Sequence, residues 1–445
     1  MTAMRVSLAP AAKPIKEGGL FDENPKPLLA VSGARVILGG DEEQYGLTQP
    51  ISPNASSLFG PRAACVAGPG GPLFVSDTGH HRVLIWQQMP EMDGAPADLV
   101  IGQPGFRHEG RNAKGDIGAA TLNVPAGIAA ADGILAVADA WNHRVLIWHG
   151  YPERSNRPAD VALGQADFAS GLANRGEDSP RADTLNWCYG VALCDGKLIV
   201  ADTGNRRVLI WDNVPEASGA PADMVLGQRD FRTRDENAGE CASALGMRWP
   251  HGIATGGGML FVSDAGNNRV MVWKVCSARD EKSFSEPEGH RERFEASIAN
   301  RSNRVMPLAQ RLKAGDDGVK SRGVPCDFVI GQGDPASVDH NRAAYYLTAS
   351  AMSMPYGVAV HGGRLVVADT SNSRLLGFDI DALEMGASAT RLAAQPNYAA
   401  KGDNRWGAPR RDSLCWPYGV AAAGDTLIIA DSGNNRVLLW ESASD

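Results

Sequence analysis

Short apolar runs separated by turn-forming residues recur along the whole chain of 445 residues. In one copy the runs read GVALC, KLIVAD, RVLIWD and MVLGQ, between Gly190 and Gln228. Each run has five or six residues, the length of a strand, and Gly, Pro, Asn or Asp lies between consecutive runs. The pattern predicts a unit of four short antiparallel strands.

The junction of the second and third runs is the best preserved part of this unit. Its core has the form Asp-x-x-Asn-x-Arg, and its copies follow one another at 62 or 63 residues, except for one gap of 105 that contains an insertion. The aspartates are Asp77, Asp139, Asp202, Asp264, Asp369 and Asp431. Four-stranded units repeating at a fixed period indicate a β-propeller, and six copies predict six blades.

The two ends of the repeat array are incomplete in complementary ways. Residues 34–40, ARVILGG, match a fourth strand with no unit before it, whereas the chain stops after the third strand at 436–440. An unpaired edge strand is a liability, so we expect residues 34–40 to complete the last blade. The predicted fold is an all-β, six-bladed propeller of four-stranded antiparallel blades over residues 34–445, closed by this N-terminal strand, with residues 1–33 as a loosely attached arm.

Residues shared by all copies are interpreted as scaffold. The Asp can accept hydrogen bonds from turn N–H groups and the Arg can pair with a carboxylate, so the motif is predicted to fasten the turn. One large aromatic residue ends each third strand and is predicted to pack between blades. The aromatic residues are Trp86, Trp148, Trp211, Trp273, Phe378 and Trp440.

A second marker, Pro-x-Gly-(Val/Ile)-Ala, begins the first strand of most copies, as in PHGIA at Pro250 and PYGVA at Pro417. Together with the (V/S)(A/S)DxxNxR(V/L) core, it makes residues 34–440, apart from the insertion, resemble the NHL-repeat β-propellers. The resemblance implies a fold but no single function. Propellers of this kind include peptide-amidating lyases, protein-interaction and RNA-binding modules, and extracellular sensor domains.

One position of the repeat holds different residue types in different copies, whereas the scaffold positions stay nearly the same. It is the residue before the glycine of the first strand, here called the mouth position because we expect it at the mouth of the central channel. The long fourth-to-first-strand loops and the Asp-x-x-Asn-x-Arg turns should emerge on the same side, here called the loop face. The six mouth residues are Arg62, Ala126, Tyr189, His251, Tyr356 and Tyr418.

Five of these residues are candidate ligand-binding residues: Arg62, Tyr189, His251, Tyr356 and Tyr418. They would supply an anion clamp, hydroxyl donors and an imidazole. The leading hypothesis is a binding or scaffold propeller that recognises a peptide, protein or small ligand there. The alternative is a lyase- or hydrolase-like enzyme at the same mouth, with or without a metal ion, as the resemblance to the amidating lyases implies. A third interpretation is that these side chains only pack the channel together with water.

The rest of the sequence assigns no catalytic residue and no cofactor. Only His251 lies in the ring, whereas the zinc site of the amidating lyases uses several histidines, so no metal site is predicted. The chain has no Gly-rich phosphate loop, G-x-S-x-G or HExxH motif. The glycines that precede the glutamines of the fourth strands are periodic strand ends.

Composition narrows the setting. A net charge of -8 disfavours nucleic acid as a partner. No apolar leader or membrane span is visible, and the seven cysteines form no CxxC pair, so we expect a cytoplasmic protein. The insertion, residues 277–322, carries charges of both signs. It is either a solvated excursion or a partner-docking element on the face opposite the loop face, and we predict that folding does not require it.

Overall fold

A computed structural model describes residues 25–39, 52–275 and 323–443, which form five four-stranded sheets and one five-stranded sheet, arranged as propeller blades. Two strands precede the first complete blade, β1 (Lys26–Pro27) and β2 (Val36–Leu38). Blade 1 contains β3 (Ala63–Val66), β4 (Leu73–Asp77), β5 (Arg82–Trp86) and β6 (Leu99–Ile101). Blade 2 contains β7 (Pro125–Ala131), β8 (Ile134–Asp139), β9 (Arg144–His149) and β10 (Val161–Leu163). Blade 3 contains β11 (Cys188–Cys194), β12 (Lys197–Asp202), β13 (Arg207–Trp211) and β14 (Met224–Leu226).

The second half of the ring repeats this plan. Blade 4 contains β15 (Pro250–Gly256), β16 (Met259–Asp264), β17 (Arg269–Lys274) and β18 (Phe328–Ile330). Blade 5 contains β19 (Pro355–His361), β20 (Arg364–Asp369), β21 (Arg374–Asp379) and β22 (Arg391–Ala393). Blade 6 contains β23 (Pro417–Ala423), β24 (Thr426–Asp431) and β25 (Arg436–Glu441). Helices in the described parts of the chain are single 3-10 turns of three or four residues, such as Thr203–Asn205, and none is long and apolar enough to cross a membrane.

The N-terminal strand closes the ring as predicted. β2 pairs antiparallel with β25, with Val36 opposite Leu439 and Leu38 opposite Val437. It therefore supplies the fourth strand of blade 6, and the last blade is assembled from both ends of the repeat array. The side chains of β2 are fully buried.

The segment before β2 corrects the interpretation of residues 1–33 as a loosely attached arm. β1 runs parallel to β22 and adds a fifth strand to blade 5, with Lys26 opposite Arg391. Leu28 and Leu29 follow it and are buried in the core between blades 5 and 6. Two leucines in this core are enough to hold the segment against the propeller, and the sequence pattern gave no periodicity to reveal it. Residues 1–24 lie outside the described residues.

The insertion also lies outside the described residues, which resume at Gly323 after Val275. These two flanking positions lie between β17 and β18, the third and fourth strands of blade 4. Its place in the topology is therefore the one expected. Its dispensability and its docking role stay predictions.

The hydrophobic core lies between the blades. Each of six clusters joins the facing sides of two neighbouring sheets, and the large aromatic residue of the third strand contributes to each. Trp211, for example, packs against Leu163 of blade 2, and its indole N–H donates to the Ala220 carbonyl at 3.1 Å. The predicted packing between blades is confirmed.

The turn motif fastens each blade from inside. In blade 3 the Asp202 carboxylate accepts hydrogen bonds from the backbone N–H of Asn186 at 2.7 Å, the Asn205 amide at 2.8 Å and the Arg207 guanidinium at 2.8 Å. Arg207 donates its remaining hydrogen bonds to loop carbonyls, including Phe231 at 2.7 Å. The Asp and Arg side chains of all six motifs are fully buried, so this repeated motif is structural, as predicted.

Candidate functional site

The five candidate residues and Ala126 all line the central channel, and in five of the six blades the first strand begins irregularly at this position. In blade 4, Pro250 pairs with Asp264, but the next regular pair is Ile253 with Val262, so His251 is left out of the ladder. Similar register shifts occur at Tyr189, Tyr356 and Tyr418. A bulge re-aims a side chain, and here it turns the mouth residue towards the axis.

The glycine after the mouth position fixes how closely neighbouring blades approach. A Cβ atom on Gly190 would lie 1.8 Å from the carbonyl oxygen of His251, and one on Gly252 would lie 2.3 Å from that of Tyr356. No side chain fits at such a distance, which explains the recurring glycine. The close contacts hold each mouth residue by its backbone against the next blade.

The mouth residues form a nearly continuous ring of stacked groups. Tyr189 stacks on His251 with ring centroids 5.0 Å apart, and His251 lies 4.4 Å from Tyr356. Tyr356 in turn stacks on Tyr418 at 4.5 Å and 9°. The guanidinium carbon of Arg62 closes the circle, 5.1 Å from the Tyr418 ring centroid and 5.4 Å from that of Tyr189. The small side chain of Ala126, buried beside them, leaves this space to Arg62.

His251 is a neutral hydrogen-bond acceptor in this ring. Burial lowers the pKa of the imidazole to about 4, and the nearby positive charge of Arg62 acts in the same direction. Its Nδ1 lies 3.0 Å from the carbonyl oxygen of Trp249, so Nδ1 carries the proton and Nε2 keeps its lone pair. Burial, and next the neighbouring Tyr418, raises the pKa of Tyr356, which therefore stays a protonated donor.

The ring separates two cavities. On its inner side the channel, with a volume of about 320 Å³, has walls of small residues such as Ala129 and Ala192. On its outer side lies a vestibule of about 260 Å³, bounded by the ring and by Trp187, Trp249, Arg206, Thr203 and Gly204. The five candidate residues line both cavities, so a guest entering from the loop face meets them first.

Comparison with known proteins adds the family. The family model for the NHL repeat matches residues 122–148, which include β7, β8 and most of β9. NHL repeat-containing protein 2 from Gallus gallus is 22% identical over 361 residues, which cover 73% of this chain and 47% of that protein. The chain is a six-bladed propeller that contains an NHL repeat. It spans about half the length of this curated relative.

Several solved structures resemble this NHL propeller in outline. Kuenenia stuttgartiensis hydrazine synthase has a TM-score of 0.45 at 12% identity, with 90% of this chain and 99% of that chain covered. The PQQ-bound aldose sugar dehydrogenase from Streptomyces coelicolor has a TM-score of 0.42 at 16% identity, with 89% and 98% covered. The Xanthomonas campestris gluconolactonase XC5397 has a TM-score of 0.40 at 12% identity, with 94% and 98% covered. Likenesses this distant carry no argument about function.

Sequence reasoning missed how the NHL propeller holds its mouth. In five of the six blades, the residue before Arg in the turn motif accepts a hydrogen bond from the backbone N–H of the next blade, two residues before the mouth position. His81 Nδ1 accepts from Val124 N and His143 Nδ1 from Trp187 N, both at 3.0 Å. Both imidazoles accept at Nδ1 and must be neutral there, and burial lowers the pKa of His143 to about 4. The signal in the sequence was that the same position holds Asn268 and Asn435, whose amide oxygens accept equivalent bonds.

The asparagines that follow each fourth strand are also structural. Asn174 and Asn205, for example, exchange amide hydrogen bonds at 2.8 and 3.1 Å in a buried pair. The same pairing occurs in four other blades. The amide groups of these asparagines are therefore taken up by hydrogen bonds within the fold. The residues concerned are Asn112, Asn174, Asn237, Asn341 and Asn404.

The mouth does not fit a metal ion. His251 is the one imidazole in the ring, and the Arg62 guanidinium beside it would repel a cation. The described residues contain no group of three or more His, Cys, Asp or Glu side chains that could hold one. Cys65 lines the channel below, but burial raises the pKa of its thiol. We therefore derive no metal-assisted step at this site.

Proposed function

We propose that this NHL propeller is a binding protein whose channel mouth takes a small organic anion, either free or as the acidic group of a larger partner. The observation that carries the proposal is the state of Arg62. In the parts of the chain that the structure describes, its guanidinium makes neither an ion pair nor a hydrogen bond and is held by two tyrosine faces alone. Its five N–H donors are thus available to a guest.

The surroundings of Arg62 favour an anion over other guests. Arg206, whose Nη2 also lies 3.9 Å from a Glu236 carboxylate oxygen, adds a second guanidinium to the vestibule, and among the described residues no Asp or Glu lines this cavity. His251 is neutral and adds no charge to the site, and protonated Tyr356 can donate a hydrogen bond to an anion. In a half-buried site these interactions are stronger than in water, because fewer water dipoles screen them. A carboxylate or phosphate fits this set of donors.

The alternative enzyme receives less support from the same geometry. An imidazole with a pKa of about 4 is a weak general base at neutral pH. A tyrosine whose pKa is raised cannot act as a base near pH 7 for the opposite reason, because it keeps its own proton. The mouth therefore has donors that can hold an anion, but no group tuned to remove a proton near pH 7.

The test is a calorimetric titration of the purified protein with acetate, benzoate and inorganic phosphate at low and high salt. We expect salt-dependent binding of a carboxylate by the wild type and a loss of about 10- to 100-fold in affinity in Arg62→Ala, from the strength of charged hydrogen bonds. The variant should fold, because blade 2 already has Ala126 at this position. Arg229→Ala is the matched control, because Arg229 is an exposed arginine that pairs with Glu240 and lines neither the channel nor the vestibule.

Two results would contradict the proposal. One is equal affinity of wild type and folded Arg62→Ala for every anion that binds. The other is no binding of any of the three anions by the wild type at low salt. Either result would mean that the free guanidinium of Arg62 does not mark an anion site.

A further inference from the structure

Large side chains surround the mouth at a backbone position that favours glycine. Two residues before each mouth residue, the backbone is left-handed in five of the six blades, with φ of 53° at Gly60, 57° at Val124, 48° at Trp187, 49° at Met354 and 52° at Trp416. Left-handed backbone is strained for any residue with a Cβ, and most of all for bulky or β-branched ones. Gly60 shows that this chain can use glycine there.

Burial does not explain the large residues. Trp187 and Trp416 are 50% and 48% exposed, and Trp249, at the same position of blade 4, is 40% exposed. A strained and exposed indole adds little to the core, while a glycine would remove the strain. Backbone strain of this kind gathers at sites that bind ligands. Trp187 is the tryptophan at this position that both has a left-handed backbone and lines the vestibule.

Two of the three tryptophans face the anion site. Trp187 and Trp249 line the vestibule together with Arg62 and Arg206, whereas Trp416 does not. Each of the two is supported by a neighbour. The Trp187 ring stacks on His143 at 6.3 Å and 26°, and the Arg248 guanidinium lies 5.5 Å from the Trp249 ring centroid. These supports fix the indoles as platforms for a flat guest.

We infer that the guest of the channel mouth is an anion that carries a planar ring, with its charge on Arg62 and Arg206 and its ring on Trp187. The inference rests on the proposed function and adds the class of ligand. The volume of the vestibule, about 260 Å³, is just below the range of ligand pockets and suits one small ring system. Indole faces attract flat π systems, and guanidinium groups bind carboxylates in a bidentate manner.

The experiment compares benzoate, cyclohexanecarboxylate, acetate and glucuronate by calorimetry. All four carry one negative charge, but only benzoate presents a flat aromatic ring. We expect the wild type to bind benzoate about 10-fold more tightly than cyclohexanecarboxylate or acetate. Trp187→Gly should lower the affinity for benzoate about 10-fold and leave the affinity for acetate unchanged.

The chain provides its own matched controls. Trp416→Gly releases the same kind of strain from an equally exposed tryptophan outside the vestibule, and should bind benzoate like the wild type. Trp187→Gly places in blade 3 the residue type of Gly60, and Trp187→Met places there that of Met354, so both variants should fold. Melting curves of the three variants show whether they do.

The outcomes separate this inference from the proposed function. The planar ring would be wrong, and the anion site would stand, if the wild type bound benzoate and acetate equally well, Trp187→Gly left both affinities unchanged, and Arg62→Ala abolished them. Preferred binding of glucuronate that depends on Trp187 would also overturn it, in favour of a sugar acid. Benzoate binding that is indifferent to Arg62→Ala would overturn the proposed function itself.

Discussion

Closure of the ring by β2 should dominate the stability of the propeller. Val36, Ile37 and Leu38 have 0%, 1% and 0% of their surface exposed. Ile37 packs in the core between blades 5 and 6, whereas Val36 and Leu38 pack in the core between blades 6 and 1. One short strand therefore contributes to two cores, and its removal opens both.

The size of the effect follows from these side chains. Burying each of the three contributes about 1.5–3 kcal/mol, and the buried Leu28 and Leu29 are lost with them, so deletion of residues 1–39 should remove roughly 8–15 kcal/mol of the free energy of unfolding. This is comparable with the whole stability of a typical domain, about 5–15 kcal/mol. The deletion should therefore leave a largely unfolded chain, and Ile37→Ala is the measurable substitute, with an expected loss of about 2–5 kcal/mol.

The assay is urea unfolding followed by tryptophan fluorescence, with Val31→Ala as the control because Val31 is 83% exposed. The control should change the free energy of unfolding by less than about 0.5 kcal/mol. A synthetic peptide of residues 25–39 should restore a cooperative unfolding transition to the chain that lacks residues 1–39. A truncated protein that melts like the full-length one would refute the closure argument.

Three further predictions concern the scaffold. Arg207→Leu should lower the free energy of unfolding by about 3–5 kcal/mol, because it leaves a buried carboxylate without its partner, whereas Arg229→Leu at an exposed pair should cost less than about 1 kcal/mol; urea titration checks both. Replacing residues 277–322 with the sequence Pro215–Ser218 of the corresponding loop in blade 3 should leave the melting temperature nearly unchanged. The reason is that each doubling of loop length costs only about 0.6 kcal/mol. A collapse of soluble expression would contradict this prediction. Because the pKa of His143 is lowered to about 4 in the folded state, its contribution to stability is complete above its unfolded pKa and should be lost as the pH falls from about 6.5 towards 4. His143→Asn, which introduces the residue type of the equivalent Asn268, should remove this part of the pH dependence of unfolding, and an unchanged pH profile would show that the imidazole does not act as the acceptor.

The fold could be predicted because the residues that determine it repeat in every blade. Asp202 and Arg207 have counterparts at the same spacing in every blade, and the unmatched run at Val36 revealed the closure. The meeting of Arg62, Tyr189 and His251 followed from the same period, since equivalent residues of a ring must converge on its axis.

The features that the sequence did not reveal depend on backbone conformation and on contacts that do not repeat from blade to blade. The left-handed backbone at Trp187 leaves no mark in the sequence, because the residue found there is one that this conformation disfavours. Distances between blades decide that the His143 ring stacks on Trp187. They also decide that no carboxylate in the described parts of the chain pairs with Arg62. The attachment of Leu28 to blade 5 depends on a single parallel pairing that occurs once.

The channel mouth as an anion site is tested most directly by a crystal soaked in sodium bromide and measured at the bromine absorption edge. Bromide marks places where an anion is stabilised, and its anomalous signal identifies it without a prior choice of ligand. We predict the strongest bromide peak in the vestibule, in contact with the guanidinium of Arg62, and its disappearance in Arg62→Ala crystals. Bromide peaks elsewhere on the protein with none in the vestibule would contradict the proposed function.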